Sequence, residues 1–221
     1  MGKIFDMDNP FWQFMTKLFD LMMLNVLFII CSIPIFTIGA SLTAMYYVTL
    51  KMVRNEESYI VKGFFKSFKQ NFIQATLIWL IFLIAAAIVG VDLYITGGSF
   101  GNLLSSGTLT SVMRVLLLVV VIFMLFTFSF VFPLLAKFDN TVKNTIKNAL
   151  LMSMRHFPTT IVCIVVLIAD ILLFYFPITV LLSIFLLFSV SAYICSGLFV
   201  KVFDNYIPKE DTDVVVNEDG I

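Results

Sequence analysis

The strongest constraint on this chain is a long stretch with almost nothing polar in it. From Thr159 to Val202, 44 residues run nearly unbroken apolar, and Pro177 is the main interruption. A bilayer core takes about 20 apolar residues per helix, so the stretch is too long for one crossing. Proline cannot continue a helix without loss of a hydrogen bond. The pattern therefore predicts two crossings, 159–176 and 178–202, joined by a tight hairpin at Phe176-Pro177-Ile178. Three more runs are long enough: 18–50, interrupted by Pro34 and Gly39, then 72–95 and 112–136. A soluble domain is excluded by composition, because 61% of the 221 residues are apolar and 13% charged, against roughly half and a quarter in soluble domains. The expected fold is an all-α polytopic transmembrane bundle of about five spans. It forms one domain over 1–203, followed by an acidic, disordered tail over 204–221.

Basic and acidic residues balance at 14 each, which points away from a nucleic-acid partner, and the arrangement says more than the sum. Lys51, Arg54, Lys62, Lys66 and Lys69 follow the first run; Lys137, Lys143, Lys147 and Arg155 follow the third; Lys201 and Lys209 are in the tail. Five spans place these 11 on one side and Lys3, Lys17 and Arg114 on the other. The positive-inside rule makes the first side, and the C-terminus, cytoplasmic. The N-terminus depends on Pro34. One long kinked span over 18–50 puts it outside. A hairpin at Pro34 moves Lys3 and Lys17 inside, but each leg is then about 24 Å long, short of the ~30 Å core. The kinked span is the preferred reading. The opening residues carry no basic segment running into an apolar one, so no cleaved signal peptide is expected.

Two basic segments read as cytoplasmic amphipathic helices lying along the membrane. In 59–72, Lys62, Lys66 and Lys69 share one arc, with Phe64, Phe65, Phe68 and Phe72 on the other side. In 139–157, Val142, Ile146 and Leu150 repeat at helical spacing beside Lys143 and Lys147. Lysines turned to anionic headgroups suit such helices. The same face offers a docking surface for a partner, carried by Lys62, Phe65, Lys66, Phe68, Lys69, Lys143 and Lys147.

Ionisable groups inside spans are expensive and repay individual reading. Asp92 and Arg114 fall at one interface and are expected to pair. Asp170 is different: about 12 residues past the cytoplasmic end of its span, it lies roughly 18 Å deep. With the N-terminus outside, Asn25 falls at a similar level, and Ser189, Tyr193 and Ser196 form a stripe on the last span, with Thr127 on the third. Asp170, Asn25 and Tyr193 are thus a candidate intramembrane polar site for a proton, a cation or a sugar hydroxyl; the alternative is polar glue between helices. Gly39/Thr43, Ala40/Ala44 and Ala86/Gly90 are small-residue pairs suited to close packing. Cys31, Cys163 and Cys195 sit in apolar runs and, with one histidine in the chain, make no zinc pattern. No phosphate-binding loop or dinucleotide fingerprint is present. Neither an enzyme nor a cofactor is expected.

The run Leu24-Asn25, Cys31-Ser32-Ile33-Pro34-Ile35-Phe36-Thr37-Ile38-Gly39-Ala40 and Ala44-Met45-Tyr46-Tyr47, followed by Phe65-Lys66-Ser67-Phe68-Lys69-Gln70-Asn71-Phe72 and Ala75-Thr76, resembles the YesL family. These are small membrane proteins of Gram-positive bacteria, classed as a domain of unknown function. Members are often encoded beside carbohydrate ABC-transporter and polysaccharide-degradation genes. The resemblance implies an accessory component of carbohydrate uptake or sensing in the bacterial plasma membrane. Its partners would be the lipid bilayer and an ABC permease or ATPase, or further copies of itself. The competing expectation is a small transporter or channel with Asp170 in its pathway.

Overall fold

A computed structural model describes residues 10–56, 59–95, 108–173, 176, 179–180 and 183–206. All regular structure among them is helical: α1 (Pro10–Ser32), α2 (Ile38–Val53), α3 (Ile60–Ile95), α4 (Thr108–Lys137), α5 (Val142–Arg155), α6 (Phe157–Leu173) and α7 (Phe188–Phe203). A 3-10 turn at Ile35–Thr37 precedes α2, and a π-helical turn at Ser183–Leu187 runs into α7. Phe11–Ser32, Ile60–Asp92, Val115–Lys137 and Ser183–Phe203 are long and apolar enough to cross a membrane. The pair α5 and α6, bent by 104°, makes a fifth if taken as one span. The expected all-α, multi-span architecture is what is observed. The Pro177-Ile178 link, the 96–107 loop, the tail from 207 and the Arg114 side chain lie outside the described residues, and with them the anticipated Asp92–Arg114 pair.

The run 18–50 is not one kinked span. It is two helices that double back at Pro34, because Lys17 Nζ near the start of α1 donates to Asn55 Oδ1, just past the end of α2, at 3.1 Å. A continuous helix would hold those residues far apart. Pro34 has no N–H to give and its neighbours leave the helical ladder, so carbonyls at the turn need other donors. The Thr37 hydroxyl lies 2.6 Å from Cys31 O and 2.7 Å from Pro34 O. Trp79 Nε1, from α3, donates to Ile35 O at 2.8 Å. The tip itself, Ile33-Pro34-Ile35-Phe36, is apolar and exposed. Satisfying its carbonyls internally is what non-helical backbone in an apolar medium requires. Trp79→Phe removes one such donor and keeps the ring packing on Phe128 and Phe132. It is expected to lower stability by about 1 kcal/mol, read as a lower melting temperature in detergent; an unchanged melt would show the bond to be dispensable.

α2 packs closely on α3, and Gly39 is where the two backbones approach. A Cβ at Gly39 would lie 2.5 Å from Ala75 O and 2.7 Å from Trp79 Cβ. Ala40, Ser41, Thr43 and Ala44 continue the small-residue surface and are buried, as the Gly39/Thr43 and Ala40/Ala44 pairs imply. Ala86/Gly90 makes no such contact. Nothing lies within 4 Å of a Cβ at Gly90, and both residues line an apolar groove between α3 and α4.

Residues 59–72 are not a separate interfacial helix. They are the first third of α3, whose 36 residues make a rod about 54 Å long. Hydropathy changes near Phe72, but no proline or glycine interrupts the backbone there, and Asn71 donates its side-chain amide back to Ser67 O at 3.2 Å without ending the helix. The rings of Phe64, Phe68 and Phe72, four residues apart, succeed one another down one side of the rod. Phe64 is fully buried among Leu21, Leu24, Met45 and Val48. α5 is a separate amphipathic helix, with Thr145, Ala149, Met152 and Ser153 buried and Lys143 and Lys147 exposed. The elbow after it is closed by Thr160, whose hydroxyl lies 2.6 Å from Ser153 O. Pro158, in the first turn of α6, costs that turn no hydrogen bond.

Charge gathers at one end. Arg54 pairs with Asp204, His156 Nε2 lies 3.1 Å from Tyr206 Oη, and the rings of Phe138 and Phe203 meet at 5.4 Å. With Lys17–Asn55, these contacts bring the start of α1, the ends of α2, α4 and α7, and the α5–α6 elbow together. Lys17, Lys51, Arg54, Lys137, Lys143, Lys147, Arg155 and Lys201 therefore share one end, with Lys62, Lys66 and Lys69 in the opening turns of α3.

Candidate functional site

The candidate polar site is built around α7, and it divides into separate contacts on different faces of that helix. Asn25 is fully buried on α1. Its Nδ2 donates to Ser183 O at 2.8 Å and Ile184 O at 2.7 Å, and its Oδ1 accepts the Ser189 N–H at 3.0 Å. Widening the helix to the π form at Ser183–Leu187 displaces its backbone groups from the ordinary i to i+4 partners. One carboxamide then supplies two donors and an acceptor to that turn. Both Nδ2 hydrogens are used, so Asn25 is committed to the backbone of the last span.

Asp170 does not meet it. Asp170, half-buried on α6, accepts a hydrogen bond from Ser191 Oγ at 2.8 Å. Tyr193 is half-buried and packs beside the apolar cluster of α1, α2 and the start of α3. Thr127 bonds back to Phe123 O on its own helix. The expected stripe of Ser189, Tyr193 and Ser196 is real, but it faces α1 and α2: Ser189 meets Asn25, and Ser196 Oγ lies 2.7 Å from Thr49 Oγ1. Ser191 is about 200° around the helix from Ser189 and faces α6 instead. That serine escaped notice because depth along a span carries no information about azimuth.

Chemically, these are bonds between helices. Every partner of Asn25 is backbone, Thr49–Ser196 is a hydroxyl pair, and Asp170 has a hydroxyl donor and no basic partner in an ion pair among the described residues. Nor do those residues contain a group of three or more His, Cys, Asp or Glu able to hold a metal. Cys163 and Cys195 are buried free thiols, and Cys31 is a half-buried one. Asp170→Asn keeps an acceptor for Ser191 Oγ, so stability is expected to change by less than about 1 kcal/mol. Ser191→Ala, which strands the carboxylate, should cost more. Chemical unfolding in detergent measures both, and equal losses would mean that the pair does not hold α6 to α7.

The lysines of the candidate partner surface are all exposed. Lys62, Phe65, Lys66 and Lys69 are exposed on α3, and Lys143 and Lys147 on α5. Phe68 is the exception. It lies between the rings of Phe64 and Phe72 and packs against the core, so it is a structural residue. Two cavities open at this charged end. One, of about 440 Å³, is polar and bordered by Gln70, Asn71, Gln74 and Asp139. The other, of about 360 Å³, lies between the end of α4, α5 and Tyr206.

Residues 21–93, a third of the chain, match a family described as Protein of unknown function, DUF624. The match covers α2, the second half of α1 and nearly all of α3, including Asn25, Gly39 and Trp79. No curated protein and no solved structure matches the chain.

Proposed function

We propose that this chain is a non-enzymatic protein of the bacterial cytoplasmic membrane, an accessory component of a carbohydrate (ABC-type) uptake or sensing system. The charged end and the C-terminus face the cytoplasm in this reading, supported by the one-sided distribution of lysine and arginine. The observation that carries it is the exposed basic face at that end. Lys62, Lys66 and Lys69 lie on one side of α3 and Lys143 and Lys147 on α5, and none forms an ion pair with a described residue. A stiff helix bearing unpaired cations suits an acidic surface on a permease or ATPase. The carbohydrate assignment draws on the resemblance of residues 24–76 to the YesL family.

The test is purification from native membranes in mild detergent. A permease or ATPase subunit of a sugar transporter should be recovered in stoichiometric amount, and Lys62→Glu, Lys66→Glu and Lys69→Glu together should reduce that recovery about tenfold or more, equivalent to ~1.4 kcal/mol of binding. If no such subunit is recovered and the purified protein alone moves sugar into liposomes, the accessory role is wrong and a transporter with Asp170 in its path replaces it.

A further inference from the structure

The cavity of about 360 Å³ at the α4–α5 corner has a mixed lining. Phe138 and Leu151 are among its apolar residues, and Asn140, Asn148, Arg155 and Tyr206 supply polar groups. Arg155 is exposed, with its guanidinium carbon over the Tyr206 ring, 5.6 Å from the centroid. A guanidinium over a ring face retains N–H donors that can bind an anion bidentately. Among the described residues no carboxylate forms an ion pair with Arg155: Asp204 is paired with Arg54, and Asp139 borders the neighbouring cavity beside Gln70 and Gln74. Lys147 is one turn before Leu151 on α5, exposed and without an ion pair among the described residues.

The surroundings indicate what kind of anion fits. Leu151, Met154 and Phe157, flanking Arg155 in sequence, are each half or more exposed, so the shoulder of the cavity is apolar as well as basic. A small inorganic anion would use the arginine and leave that shoulder bare. An amphiphile would use both, as basic pockets at the cytoplasmic ends of transmembrane helices do for lipid headgroups. We propose that this corner binds the phosphate of an anionic phospholipid, with Arg155 and the Asn140 and Asn148 carboxamides on the phosphate and an acyl chain along Leu151 and Phe157. A soluble phosphate shares the anion chemistry but not the apolar contact, which separates the two sources.

Native mass spectrometry of the full chain, released from detergent after incubation with defined lipids, tests this. Phosphatidylglycerol should be retained at least about tenfold better than phosphatidylcholine, a preference of ~1.4 kcal/mol. Arg155→Ala should abolish the preference, Arg155→Lys should keep part of it, and Asn148→Leu should weaken it while the helical circular dichroism stays unchanged. Equal retention of the two lipids, or a preference that survives Arg155→Ala, overturns the site. Displacement of phosphatidylglycerol by millimolar inorganic phosphate overturns the lipid assignment and makes the ligand a soluble phosphate.

Discussion

Asn25→Leu is expected to cost the fold about 3 kcal/mol, roughly 1 kcal/mol for each of three buried bonds. The leucine fills the space but leaves two carbonyls and an N–H of the π-helical turn without their partner. Tertiary structure around α1 and α7 should loosen before the helices themselves melt, since each keeps the rest of its own ladder. Chemical unfolding in detergent reads the loss. Ser189→Ala is the control: the bond from Asn25 is to the Ser189 backbone, and the substitution removes only the bond from its hydroxyl to Leu186 O. Should the two variants be equally stable, the π turn does not depend on Asn25.

A second large effect is expected at Gly39. Gly39→Ala places a methyl 2.5 Å from Ala75 O, well inside van der Waals contact, and the obstacle is backbone on a packed helix. α2 and α3 must separate to admit it, at a cost of about 3 kcal/mol. Gly39→Val should cost more and yield little monodisperse protein on size exclusion. Removing the other neighbour, the Trp79 Cβ, with Trp79→Gly should not rescue Gly39→Ala, because the closest contact is the Ala75 carbonyl. Rescue by Trp79→Gly would place the clash at the side chain and refute close backbone packing.

How much of this was legible in the sequence differs from element to element. The apolar runs located α4, α6, α7 and the apolar two-thirds of α3, because burial in lipid leaves few ways to arrange twenty such residues. Pro34 was legible as an interruption but not as a reversal. Each leg looked too short for a bilayer, and the donors that satisfy the turn come from Thr37 and, 44 residues away, from Trp79. Lys62, Lys66 and Lys69 suggested a separate surface helix because composition shifts at Phe72. Backbone hydrogen bonding does not follow that shift, so α3 runs straight through. For Asn25 and Asp170 the sequence offered only arithmetic of position along each helix. It had no means of telling that α1 and α6 approach α7 from different sides.

The doubling back at Pro34 has a consequence for parity. α1 starts and α2 finishes at the same end of the molecule, so together they contribute either no net passage or two, never one. α3 leads away from that end and α4 returns to it; α6 and α7 repeat the excursion. An even number of passages is therefore expected whatever depth the tip reaches, although length and hydropathy alone single out four helices, or five with the bent pair. Reporter proteins fused ahead of Pro10 and behind Tyr206 must then read out the same compartment. An opposite readout from the two fusions would require α1 to be pulled apart from α2.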